Sequence, residues 1–194
     1  MPGNLCIYID TNFEMTGEIG KTYDLHIAVE DKVLTASTTL QNSIPLDSLQ
    51  FITPEGEVAE NLRELRVTLS DPLGEGNFYR YLTAINGSGF TSGLNSVTDD
   101  ALFDGKQFEF PLPKSEPRNS EVDQATYGLY TEGDTVSIKW TTIDEPNFNF
   151  WNTLEFNAIN QGPFSSYTRV ESNINGGIGI WGGYSAHYYT LVVE

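Results

Sequence analysis

The chain has 194 residues and carries 10 basic against 27 acidic side chains, a net charge of −17. A nucleic-acid binder needs cations to displace phosphate counterions, and this chain has few and no Lys/Arg cluster, so duplex DNA and anionic membrane surfaces are excluded as partners. The single cysteine, Cys6, forbids an internal disulfide, and no apolar run approaches the ~18 residues of a transmembrane helix.

In chain order, the start "MPGN" shows no basic region followed by an apolar one, so no secretion signal is read within it. Cys6 sits in the strand-like run "LCIYI" and is expected to be a buried, inert thiol. In "YDLHIAV", Leu25, Ile27 and Val29 alternate with Asp24, His26 and Ala28. Successive strand side chains point to opposite faces, so period two predicts one buried and one wet face. "VLTASTTL" follows, and "QNSIPLDS", Gln41 to Ser48, marks a boundary. It divides a partial N-terminal β segment, 1–43, from a sandwich domain, 44–194.

Within the second part, "LRVTL" places Leu65, Val67 and Leu69 on one face. "NFYRYLTAI" and "KQFEF" are rich in aromatic and β-branched residues. The loop from Pro111 to Ala125 holds three prolines and no apolar period, and is expected to be functional, partly disordered, or both. "TVSIKWT" puts Val136, Ile138 and Trp140 opposite Ser137 and Lys139, and "YYTLVV" closes the chain as a strand. The segments "GEIGK", "VEDK", "SDPLGEGN", "INGSG", "DGK" and "TEGD" supply the turns. One stretch breaks the period. "DEPNFNFWNTLEFNAINQG" opens on Asp144 as N-cap with Pro146 in the first turn, repeats Phe148, Trp151, Leu154 and Ala158 or Ile159 at helical spacing, and stops at Gly162 and Pro163. The fold expected is mainly β: an immunoglobulin-like antiparallel β-sandwich with one helix at about 145–160.

Three constellations invite a chemical reading. "GGIGIWGG" contains a literal G-x-G-x-x-G at Gly177, Gly179 and Gly182, but only twelve residues follow it and they read as a strand. A dinucleotide fingerprint needs a helix and a later acidic residue, so these glycines and Gly183 are read as backbone shapers before the last strand, with Trp181 filling space between layers. "TDDALFDG" gathers Asp99, Asp100 and Asp104, which read as a capped, solvated turn, with a hard-cation site as the alternative. His26 and His187 lack a metal-ligand pattern, and no G-x-S-x-G elbow occurs. Tyr79 and Tyr81 share one strand face, and Tyr184, Tyr188 and Tyr189 lie near the C-terminus. Such rings pack in cores, or stack on sugars and anchor partners when exposed.

Five motifs occur in order: "DPLGEGNFYRY", "DDALFDGKQFEF", "GDTVSIKW", "GPFSS" and "NINGGIGIWGGYS". Together they resemble the Bacteroidetes-type lipoprotein family that carries the domain of unknown function numbered 4249. "GEIGKTYDLHIAVEDKVLTASTTLQNSIPLDSLQF" is similar to that family's junction between its N-terminal β domain and the next one. The resemblance implies an exported, often lipid-anchored protein at the outer membrane, encoded beside TonB-dependent receptors. It implies no enzymatic activity, so no catalytic, cofactor-binding or metal residue is assigned. The chain departs from the family at its start, where Cys6 lacks the apolar run that precedes a lipidated cysteine.

The function expected is that of a non-catalytic accessory or binding protein, outer-membrane-associated or periplasmic, working with a TonB-dependent receptor. A carbohydrate- or peptide-binding module is the alternative, with a glycan or peptide ligand on exposed tyrosines. A hydrolase comes third and requires a cleft with two carboxylates roughly 5–9.5 Å apart.

Overall fold

The computed structural model describes residues 7, 9–12, 14–74, 76–116, 123, 125–160 and 168–194. Cys6, Gly162, Pro163, the "GPFSS" motif and part of the proline-rich loop lie outside the described residues. The first described strands form a hairpin of β1, Thr22–Val29, and β2, Lys32–Thr39, a two-stranded sheet that also bridges from Thr35 to Asn175. The rest is an antiparallel β-sandwich. One sheet combines β3, Ser48–Ile52, β4, Leu62–Ser70, and β7, Gln107–Pro111, in the order β3-β4-β7, with the short β8, Tyr130–Thr131, on the start of β4. The other combines β5, Phe78–Ile85, β6, Val97–Asp99, β9, Thr135–Ile143, and β10, Tyr184–Val192, in the order β10-β9-β5-β6.

The period-two residues meet in the middle. Leu65, Val67 and Leu69 of β4 and Val136 and Ile138 of β9 have no exposed surface, and Trp140 is 1% exposed. Full burial of such a side chain contributes roughly 1.5–3 kcal/mol, so these positions dominate the core. Tyr79 and Tyr81 belong to this core rather than to the surface, with Tyr79 stacked on Trp140 at 5.2 Å between centroids. The stretch between β2 and β3 also lies along the core. Ile44 O accepts the Trp140 Nε1 hydrogen bond at 3.0 Å, Ile44 N donates to Thr142 Oγ1, and Leu46 N donates to Tyr189 Oη at 2.8 Å.

The helix α1 spans Glu145–Ile159, with Asp144 as N-cap and Pro146 in its first turn. Asp144 Oδ1 accepts the Asn147 amide at 3.1 Å, supplying one of the orphan donors of the first turn. Its buried residues are not the expected stripe. They are Asn147, Phe150 and Glu155, while Phe148, Trp151 and Leu154 are half-buried and Ile159 is 55% exposed. The reason is polar anchoring. Glu155 accepts hydrogen bonds from Ser96 N at 2.7 Å and Ser96 Oγ at 2.6 Å, tying the helix to the residue before β6. No helix among the described residues is long and apolar enough to cross a membrane.

Candidate functional site

The glycine segment is a docking element. Asn173 closes it by pairing with both backbone groups of Trp181, donating from Nδ2 to O at 2.7 Å and accepting from N at 2.9 Å. Gly176 has φ 83, and a Cβ there would sit 2.8 Å from Val33 O of the hairpin. Gly182 answers to close approach: a Cβ would fall 2.2 Å from Asn147 Nδ2 and 2.6 Å from its Cγ. Only glycine lets the buried Asn147 carboxamide lie against this backbone. Trp181 is half-buried on the hairpin, donating Nε1 to Tyr23 O at 3.0 Å, and does not belong to the core between the sheets.

The acidic turns converge with a change of membership. Asp71, Asp100 and Asp104 each bring one carboxylate oxygen within 4.8 Å of the others. Asp99 instead accepts the Ala101 amide two residues on, at 3.3 Å. Asp71 enters because the turns before β5 and after β6 lie side by side. Backbone amides fill these oxygens: Gly74 N donates to Asp104, Gly76 N and Asn77 N donate to Asp100, and Gly105 N donates to Asp71. Asn77 Nδ2 adds a bond to Asp100 at 2.9 Å, and the Tyr79 hydroxyl donates to Asp71. Burial alone would raise the Asp100 pKa, but the Asn77 and Gly76 donors outweigh it and hold the carboxyl below its ordinary value. Burial first, and then the bond to Asp71, pushes the Tyr79 phenol far up. The cluster thus couples two turns through charge-assisted hydrogen bonds.

A cleft of about 750 Å³ opens beside it, between the end of β2, the start of β5 and the first turn of α1. Asp99, Asp100, Asp144 and Glu145 line it with Ser37, Thr38 and Thr39. Its two buried carboxylates are committed. Asp100 is held as described, and Asp144 Oδ2 accepts Thr38 Oγ1 at 2.7 Å and Thr39 N at 2.9 Å.

The histidines separate. His26 is exposed on β1. His187 Nε2 lies 2.6 Å from Ser43 Oγ, the spacing of a nucleophile and its base. This pair fastens the stretch between β2 and β3 against β10, as Tyr189 does at Leu46, and lines none of the cavities described here.

The tyrosines of β10 divide by parity. Tyr189 turns inward, while Tyr184 and Tyr188 are 46% and 63% exposed on the outer face. Between them stands Lys139, opposite Tyr188 in register, with Nζ donating to Tyr184 Oη at 2.6 Å and lying 4.2 Å from that ring's centroid. Among the described residues Lys139 forms no ion pair. Phe90, 40% exposed, tilts against Tyr188 at 6.0 Å. At the other end of this face the Arg80 guanidinium lies 3.5 Å over the Trp151 ring, with Glu155 at 3.9 Å. A hollow of about 200 Å³ between Arg80, Lys139, Trp151 and Tyr184 has no carboxylate in its wall among the described residues. Strand parity already assigned Lys139 to the wet face, but the proximity of Phe90 and Trp151 required the fold.

The model of the domain of unknown function DUF4249 matches residues 4–190, nearly the whole chain, and the chain belongs to that family. No match was found among curated proteins or among solved structures.

Proposed function

We propose, from this family membership, that the chain is a non-catalytic accessory protein of the cell envelope. It is exported, sits at the outer membrane or in the periplasm, and binds in partnership with a TonB-dependent receptor. The observation that carries the binding role is the outer face of the β10-β9-β5 sheet, where Tyr184, Tyr188 and Phe90 surround Lys139. Exposed rings around a cation are the composition of a contact surface, since aromatic side chains bury much area at low entropy cost. The commitment of Asp100 and Asp144 to protein donors supports binding over acid–base chemistry in the acidic cleft. Affinity capture from envelope extracts with the full-length, lipidated protein tests the reading. Recovery of a TonB-dependent receptor with the native protein, reduced for Tyr188→Ala, is the expected outcome. Repeated capture without a receptor overturns it.

The same face favours a second reading, a carbohydrate- or peptide-binding module. Tyr184 and Tyr188 point the same way from one strand, four residues apart, and Lys139 Nζ lies 4.2 Å from one ring centroid and 5.9 Å from the other, so both rings flank the same cation. That is a platform for an extended ligand. A glycan and peptide array probed with the native protein and with Lys139→Ala separates it from the first, because only this reading predicts binding without a receptor.

A further inference from the structure

A different region is built to enclose a ligand. Among the described residues β6 pairs only with β5 and β7 only with β4, so these two strands do not join the sheets along this side of the sandwich. Behind the gap lies a cavity of about 400 Å³, within the range of small-molecule sites. Its wall is largely rings: Tyr79, Phe103, Phe108, Phe110, Trp140 and Tyr127. Phe108 lies parallel to Phe103 at 5.1 Å and 2° and stacks on Phe110 at 5.9 Å, forming one continuous wall. Phe108 and Tyr127, at 42% and 37% exposed, mark the mouth.

Among the described residues no lysine, arginine, aspartate or glutamate lines this cavity, in a chain of net charge −17. An ion entering it would lose its hydration with no opposite charge to meet, so the occupant is neutral. The few polar groups on the wall include Asn95, Ser96 and Thr98. Ser96 N and Oγ already donate to Glu155, and Thr98 Oγ1 donates to Asp99 O at 3.2 Å, so Asn95 and the acceptor side of the Thr98 hydroxyl remain to meet a polar substituent. Ring faces and edges favour a ring partner through offset or edge-to-face contact. We propose that this cavity binds an uncharged small molecule built on an aromatic ring system. The site is separate from the outer-sheet face and stands whether or not that face binds a receptor.

Two probes with the same rings test it. N-phenyl-1-naphthylamine is neutral, and 8-anilinonaphthalene-1-sulfonate carries an added sulfonate. Both are titrated into the full chain at ~0.15 M salt, where long-range repulsion is screened. The neutral probe is expected to bind saturably at one site, about tenfold or more tighter than the sulfonate. Thr98→Trp places a bulky side chain on the cavity wall from an edge strand, and the folded variant is expected to bind the neutral probe about tenfold more weakly. Phe108→Ala is the second variant. Its side chain is half-exposed, so the fold survives, and loss of the stacking wall is expected to weaken the probe about fivefold. No saturable binding, equal affinity for the two probes, or undiminished binding by a folded variant overturns the proposal.

Discussion

Two regions of this protein concentrate charge, and they use it in opposite ways. At the acidic turns, Asp71, Asp100 and Asp104 face inward and accept bonds from Gly74, Gly76, Asn77, Tyr79 and Gly105. On the outer sheet face, Lys139 stands among exposed rings with no carboxylate against it among the described residues. A sequence reader is drawn to the first, because clustered aspartates look like a site. The structure shows that satisfied groups hold the fold, whereas groups left facing solvent are available to a ligand. The same division applies to the carboxylates of the cleft, where Asp144 joins the helix to β2.

If the inward groups are structural, changing them lowers stability and leaves binding by the folded protein intact. The largest effect belongs to Gly182→Val, which drives a branched side chain into the buried Asn147 carboxamide. A loss of about 3 kcal/mol or more is expected by chemical denaturation, with impaired folding in expression. Asp144→Ala removes a cap and leaves Thr38 Oγ1 and Thr39 N without their acceptor, for a loss of about 2–3 kcal/mol. Asp100→Asn follows at about 1–3 kcal/mol, with a pH signature of its own. The folded Asp100 pKa is depressed, so its contribution is complete above the unfolded value near ~3.9 and is lost as pH falls through the folded value. Melting temperature measured from neutral pH into acid should therefore fall less steeply in the variant than in the native protein. Lys139→Ala should be smallest in stability, within about 0.5 kcal/mol, because its side chain makes surface contacts alone. Its effect should appear in receptor or ligand binding. A Lys139→Ala protein that melts far lower, or an Asp100→Asn protein of native stability, would erase the contrast.

Much of the fold was legible in the sequence because burial imposes a period. Leu65, Val67 and Leu69, and Val136, Ile138 and Trp140, declare both inner faces by alternation alone. Asp144 declares the helix start through the chemistry of a cap, and Gly182 is a shape requirement, although its partner Asn147 was not visible. Less legible were β6 and β8, three and two residues long, too short for a period to show. The buried side of α1 was hidden because two of its three buried residues, Asn147 and Glu155, are polar, and an apolar stripe cannot find them. Asp71 joined the acidic cluster where two turns lie side by side, and Ser43 met His187 where the stretch between β2 and β3 lies against β10, both contacts between segments distant in the chain. The aromatic cavity depends on two strand edges that do not meet, which no local pattern encodes.

The junction around Asp144 also bears on the order in which the chain assembles as it is made. The β1–β2 hairpin leaves the ribosome before α1 and β10 do, with its own local pairings to form first. Its anchors come much later: Asp144 for Thr38 and Thr39, Asn175 for Thr35, Trp181 for Tyr23 and Gly183 for Thr38. An isolated two-stranded hairpin is marginal in water. These two strands must therefore wait for partners 105 to 158 residues further along before they are locked in place, and closing so long a loop is slow. During that interval Ile19, Val29 and Val33, all at least half-exposed even in the finished fold, belong to a segment with nothing to hold it, which makes this hairpin the part of the nascent chain most in need of protection.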